Sequence, residues 1–195
     1  MAEQEKAKAF LSLVSGESED QARFLTSEAR RLFPEDAAAR WLRARRKLSD
    51  AGYGQAVSDS YTTYSLACAR IVGPEPAIEL ADVVSVVAIK SGRKAAETLC
   101  YAAERAATRL EDAPRFRSWL SLIQRFTALA PESVGSVLAR MDELLSQLNV
   151  SRLEAWLLAG VRSAGSDRER RLKFFSMEDS EGHRWLQRET SPVRG

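Results

Sequence analysis

Apolar residues return at three- and four-residue steps along most of this 195-residue chain, the period of a helix with one buried face. From about Gln55 to Val72 the step is kept by Val57, Tyr61, Tyr64, Cys68 and Ile71, and Gly73-Pro74 ends the block. Phe116, Trp119, Leu120, Ile123 and Phe126 form one stripe. After Ala130-Pro131-Glu132 a second stripe runs through Val134, Val137, Leu138, Met141, Leu144, Leu145 and Leu148. Two stripes of this kind predict antiparallel helices sharing one seam. From Arg93 to Leu110, Ala95, Ala96, Ala102, Ala103, Ala106 and Ala107 line a face with Leu99 and Cys100 that allows close helix contact. Phe33-Pro34-Glu35-Asp36 is expected to open a helix, with Pro in its first turn and acids at its positive end, and Asp50-Ala51-Gly52 to close it. Ser151 is expected to cap a helix bearing Leu153, Trp156, Leu157, Gly160 and Val161. Gly165-Ser166-Asp167 would cap the next, which carries Leu172, Phe174, Phe175 and Met177.

One block breaks the pattern. Val83-Val84-Ser85-Val86-Val87-Ala88-Ile89 is rich in β-branched residues and reads as a strand on propensity alone. No second strand-like segment exists to satisfy its backbone groups, so it is assigned to a helix buried on several sides. Trp41, Trp119 and Trp156 then stand two lengths and one length apart of a unit just under about 40 residues, the period of paired-helix repeats. The expected fold is all-α: a right-handed, HEAT/armadillo-like stack of about four antiparallel helical hairpins. It forms a single helical-repeat domain over residues 1–190, with 191–195 a frayed tail.

Charge adds little direction. The 29 basic and 27 acidic residues give a net charge of +2 and alternate in sign as solvated helix faces do, which counts against a dedicated nucleic-acid binder. The charged N-terminus predicts no secretory leader. The longest apolar stretch, Ala81 to Ile89, contains Asp82 and is far shorter than a membrane span, so a cytoplasmic protein is expected. Cys68 and Cys100 lie in apolar stretches without a CxxC and are read as reduced core residues.

Catalytic constellations are weak. His183 is the single histidine, in a polar segment read as surface. Glu17-Glu19-Asp20, Glu111-Asp112 and Glu178-Asp179 suit helix ends and solvation better than acid/base work. Ser91-Gly92-Arg93-Lys94 resembles part of a phosphate loop, but lacks the full spacing and the preceding strand, so a helix-to-helix turn is the better reading. No catalytic residue, metal ligand or cofactor is assigned. Two basic runs stand out: Arg40, Arg43, Arg45, Arg46 and Lys47, read as a solvated face, and Arg168, Arg170, Arg171 and Lys173. The second run lies beside Phe174, Phe175 and Trp185. Arginine next to aromatic residues is the composition of an interface, so these seven residues are the candidate partner-binding site. The competing reading is that the aromatics close the end of the stack.

Within residues 133–189, Leu153, Glu154, Ala155, Trp156 and Gly160 form L-E-A-W-x-x-x-G, and Phe174 to Ser180 form F-F-S-M-E-D-S. This stretch resembles the α-helical N-terminal region of the bacterial von Willebrand factor A-domain proteins that work with MoxR-type AAA+ ATPases, including the NorD-like activators of nitric oxide reductase and the CbbO-like activators of Rubisco. The family's D-x-S-x-S metal loop is not carried over: Asp59-Ser60-Tyr61-Thr62-Thr63 has Tyr where the first Ser is needed. The resemblance implies a non-catalytic adaptor arm that docks the ATPase, a client enzyme or both, assisting activation or metal-cofactor maturation. Two alternatives stay open: a HEAT-like nucleic-acid-binding or DNA-glycosylase solenoid, and a freestanding protein-binding solenoid.

Overall fold

The computed structural model describes residues 12–176 and 181–190. Among them the chain is helical throughout, with no strand. Helices α1 (Glu19–Leu32), α2 (Glu35–Asp50), α3 (Gln55–Val72), α4 (Pro74–Ser91), α5 (Arg93–Leu110) and α6 (Ala113–Leu129) follow with short joints. A 3-10 turn (Pro131–Ser133) leads into α7 (Val134–Ala139), α8 (Met141–Gln147), α9 (Val150–Ala164), α10 (Arg168–Phe175) and α11 (Glu181–Thr190). No helix among the described residues is long and apolar enough to cross a membrane. The expected tail at 191–195 and the 177–180 end of the second motif lie outside the described residues.

The single-residue joints α3–α4 and α4–α5 are Gly73 and Gly92, with φ of 89° and 91°. A residue with a Cβ is disfavoured in that left-handed region, so glycine lets consecutive 18-residue helices reverse without a loop. The packing falls into two rows. Helices α1, α3, α5 and then α7 with α8 touch in succession, as do α2, α4, α6 and α9. Helix α5 touches α3, α4, α6, α7 and α8, and its buried Ala95, Ala96, Ala102, Ala103, Ala106 and Ala107 present the small surface that so many neighbours require. The valine-rich block is indeed helical. It is only partly enclosed: Val83, Val84 and Val87 are buried, but Ile89 is 67% exposed.

The three repeat-spaced tryptophans are core residues, at 0, 0 and 1% exposure, and each buried indole N–H finds an acceptor, as burial demands. Trp41 stacks between Phe33 and Tyr61 and donates to Ser65 Oγ at 2.9 Å. Trp119 donates to Met141 Sδ at 3.2 Å, and Trp156 to the Gly182 carbonyl at 3.2 Å. Cys68 and Cys100 are buried and unbridged.

Three local expectations need correction. The second stripe is two helices rather than one, because Arg140 leaves the helical region (φ −109°, ψ 12°) and its N–H bonds only three residues back, to Val137. The cap of α9 is Asn149, whose side chain accepts from Arg152 N at 2.9 Å, rather than Ser151. Arg45 is not on a solvated face: it is 2% exposed and donates to Thr62 Oγ1 at 3.1 Å and Glu17 Oε1 at 2.5 Å. Glu17 thus holds a buried cation instead of a helix end, as a guanidinium inside a core requires. Its neighbours in the basic run stay at the surface, where Arg40 pairs with Glu75 and Lys47 with Asp82.

Candidate functional site

The C-terminal segment separates into an aromatic interior and a charged exterior. Asp167 caps α10 by accepting from Arg170 N at 3.0 Å, and the helix turns Phe174 and Phe175 inward, to 3% and 1% exposure. Trp156 lies 5.9 and 5.1 Å from their ring centroids, and Phe126 lies 5.3 Å from that of Phe175. Gly160, one turn after Trp156, makes room for them: a Cβ there would stand 2.3 Å from Phe175 Cζ and 2.6 Å from Phe174 Cδ1. The W-x-x-x-G and F-F elements are therefore two halves of one packed socket. Phe174 and Phe175 offer no exposed anchor, and Trp185 is partly buried against the same core. Arg171 is committed within the molecule, to Glu132 Oε1 at 2.5 Å and the Gly165 carbonyl at 2.6 Å. Burial works to raise the Glu132 carboxyl, but a backbone hydrogen bond and Arg171 together hold it below the ordinary value. Arg168, Arg170 and Lys173 remain exposed. His183 is partly buried on α11.

The exposed arginines that share a concave surface lie elsewhere. Because Phe116, Trp119, Leu120 and Ile123 turn α6 inward, its other side presents Arg115, Arg117, Ser118, Ser121 and Arg125. These residues, with Arg109 at the end of α5, line a groove of about 1030 Å³ closed on its far side by the α8–α9 junction from Leu145 to Ser151 and by Glu154. Each arginine is held by one carboxylate: Arg109 to Asp142 at 3.0 Å, Arg115 to Asp112 at 3.2 Å, Arg117 to Glu79 at 2.8 Å and Arg125 to Glu154 at 2.8 Å. The hydrogen bond from Arg109 keeps the Asp142 carboxyl below its ordinary value, and the bond to Glu79 raises Arg117. Exposed pairs of this kind are worth only about 0–1 kcal/mol each. They hold the guanidinium groups in place on the groove wall.

A second basic hollow, of about 680 Å³, joins two segments that the sequence presents separately. Lys90, Ser91 and Lys94 at the α4–α5 turn share it with Arg168 of α10.

No described protein family, curated protein or solved structure matches this chain. What the chain does has to be read from its own surfaces.

The two thiols are poor nucleophiles. Burial pushes Cys68 up to about 12 and Cys100 higher still, so neither is a thiolate near neutral pH. Among the described residues, no three His, Cys, Asp or Glu side chains gather as a metal-holding group. The groove arginines lie on the face of α6 away from the apolar stripe that marks this helix in the sequence. Their signal is present on that face, where Arg115, Ser118, Ser121 and Arg125 recur at three- and four-residue steps.

Proposed function

We propose that this chain is a non-catalytic, HEAT-like helical scaffold whose working surface is the arginine groove between α6 and the α8–α9 junction, receiving an acidic segment of a partner protein. The observation that carries this reading is the groove itself: four arginines from two helices line one concavity, each held by one exposed ion pair, bidentate at Arg117. Arginine is favoured at protein interfaces because its planar fork binds carboxylates bidentately. The acids around the groove favour a protein over a nucleic acid. Asp112, Asp142, Glu79 and Glu154 can pair with basic residues of a mixed-charge partner but would repel a uniformly negative phosphate backbone. The resemblance over residues 133–189 nominates a MoxR-type AAA+ ATPase, or the enzyme it activates, as that partner.

The test is direct titration of the purified chain with a purified MoxR-type ATPase, with a glutamate-rich peptide and with a single-stranded oligonucleotide. Binding of the ATPase and the peptide that weakens with salt, and is lost in Arg117→Glu/Arg125→Glu but kept in Arg170→Glu/Lys173→Glu, is the expected result. Tight oligonucleotide binding with no protein binding would replace the scaffold reading with the nucleic-acid one. Equal binding by both double variants would remove the groove as the docking surface.

A further inference from the structure

We infer that the hollow between the α4–α5 turn and the 3-10 turn binds a phosphoryl group carried by a small molecule. It shares no residue with the arginine groove, so it stands or falls independently of the scaffold reading. Three cations from three parts of the chain line it: Lys90 at the end of α4, Lys94 in the first turn of α5 and Arg168 at the start of α10. Lys90 and Arg168 are exposed, and Lys94 reaches only Glu97, at 3.7 Å, with its own side chain 91% exposed.

The acid in the hollow, Glu132, which also feels the charge of Arg168, bonds Arg171 at 2.5 Å, so the lining keeps a net positive charge. Between Lys90 and Lys94 sits Ser91, another lining residue, whose Oγ is fully enclosed and has no hydrogen-bond partner. Such a group loses free energy while unpaired, and because it is closed to solvent a phosphate oxygen reaches it only when the Ser91 side chain rotates toward the hollow. The opposite wall is made small by Gly135 and Ser136: a Cβ added at Gly135 would meet only Ala95 Cβ, at 3.9 Å. The N-terminal turn of α5 carries no side-chain cap and adjoins the hollow through Lys94 and Ala95, so its positive dipole end adds to the field of the lysines and Arg168. A volume of about 680 Å³ exceeds what bare phosphate needs and suits a phosphorylated metabolite or nucleotide.

Titration of ¹⁵N-labelled protein with sodium pyrophosphate and with inorganic phosphate, at ionic strength fixed with sodium chloride, tests this. The expected result is saturable movement of the amides at Ser91–Ala95 and Gly135–Ser136, tighter for pyrophosphate. Affinity should fall about tenfold in Arg168→Gln and in Lys90→Gln, the factor expected when one charged hydrogen bond is lost. Lys173→Gln, on the same helix as Arg168, should bind as the unaltered protein does. Circular dichroism confirms that the variants are folded, as substitutions at exposed positions should be. Shifts that never saturate, that sodium chloride alone reproduces, or that respond equally to Arg168→Gln and Lys173→Gln would overturn the assignment.

Discussion

Gly160→Ala is the sharpest probe of how the C-terminal end is built, because two effects of opposite sign compete there. In the middle of α9, alanine is the better helix former by about 0.5–1 kcal/mol. Against this, its methyl carbon would stand 2.3 Å from Phe175 Cζ and 2.6 Å from Phe174 Cδ1, more than an ångström inside the usual contact of about 3.5–4.0 Å. Neither ring can step aside alone. Both are buried, they lie 5.1 Å apart centroid to centroid, and Trp156 and Phe126 hold them from the other sides. Overpacking of a filled core costs about 1–3 kcal/mol, and here two rings are overrun at once, so the upper end applies. The net expectation is destabilisation by about 2–2.5 kcal/mol, or roughly 4–10 °C in Tm for a chain of this size. Urea unfolding followed by tryptophan fluorescence measures it. Adding Phe174→Leu should recover part of the loss, giving a coupling of about 0.5–3 kcal/mol between the two sites. If Gly160→Ala proves as stable as the unaltered protein or more so, helix propensity has decided the outcome and the aromatic socket is not packed as described.

Trp119→Ala and Trp156→Ala should each cost about 3–5 kcal/mol, measured by the same denaturation; a change below about 1 kcal/mol at both would contradict their burial. Gly73→Ala should cost about 1–2 kcal/mol through φ alone, since a Cβ there meets nothing within 4 Å. Thermal melting that shows no loss would mean the α3–α4 joint adopts another conformation. The Glu132 carboxyl titrates below its ordinary value in the folded state, so its contribution is complete above that ordinary value and disappears as pH falls through the lowered one. Arg171→Gln should therefore flatten the acid limb of the stability profile below the ordinary carboxylate value, and an unchanged limb would show that the pair is not formed. Cys68 and Cys100 should resist a disulfide exchange reagent until the protein unfolds, since both are buried and burial raises both; fast modification of the native chain would contradict their enclosure.

What was legible in the sequence was what depends on neighbours three and four residues away. The stripes of α3 and α6, the alanine face of α5 and the glycine joints are local features, and the helices form where those features predict. Residues 83–89 are helical against their strand propensity, since a strand there would have no partner among the described residues. The Arg140 break and the Asn149 cap were decided locally, whereas the places of Arg45, Phe174 and Phe175 were decided by partners distant in sequence. Arg45 reads as one more cation in a basic run until Glu17 and Thr62 arrive to hold it inside. Phe174 and Phe175 read as interface residues because nothing near them in sequence reveals Gly160 opening a hole beneath them. The arginine groove needs α6 and the α8–α9 junction side by side, which no single periodicity encodes.

The socket and the groove lie on opposite sides of one helix, and that arrangement bears on how the surface could work. Trp156 and Gly160 turn α9 toward α10, while Val150, Ser151 and Glu154 of the same helix form part of the groove wall. The aromatic lock thus fixes where Glu154 stands relative to Arg125, and with it how open the groove is. Packed aromatic cores resist gradual deformation, whereas exposed ion pairs exchange at little cost. On the proposed reading, the rigid element sets the position of α9 and the labile element would do the recognition. A partner that replaces the Arg125–Glu154 pair therefore needs no rearrangement of the core, and its affinity should follow salt concentration and groove charge rather than the stability of the fold.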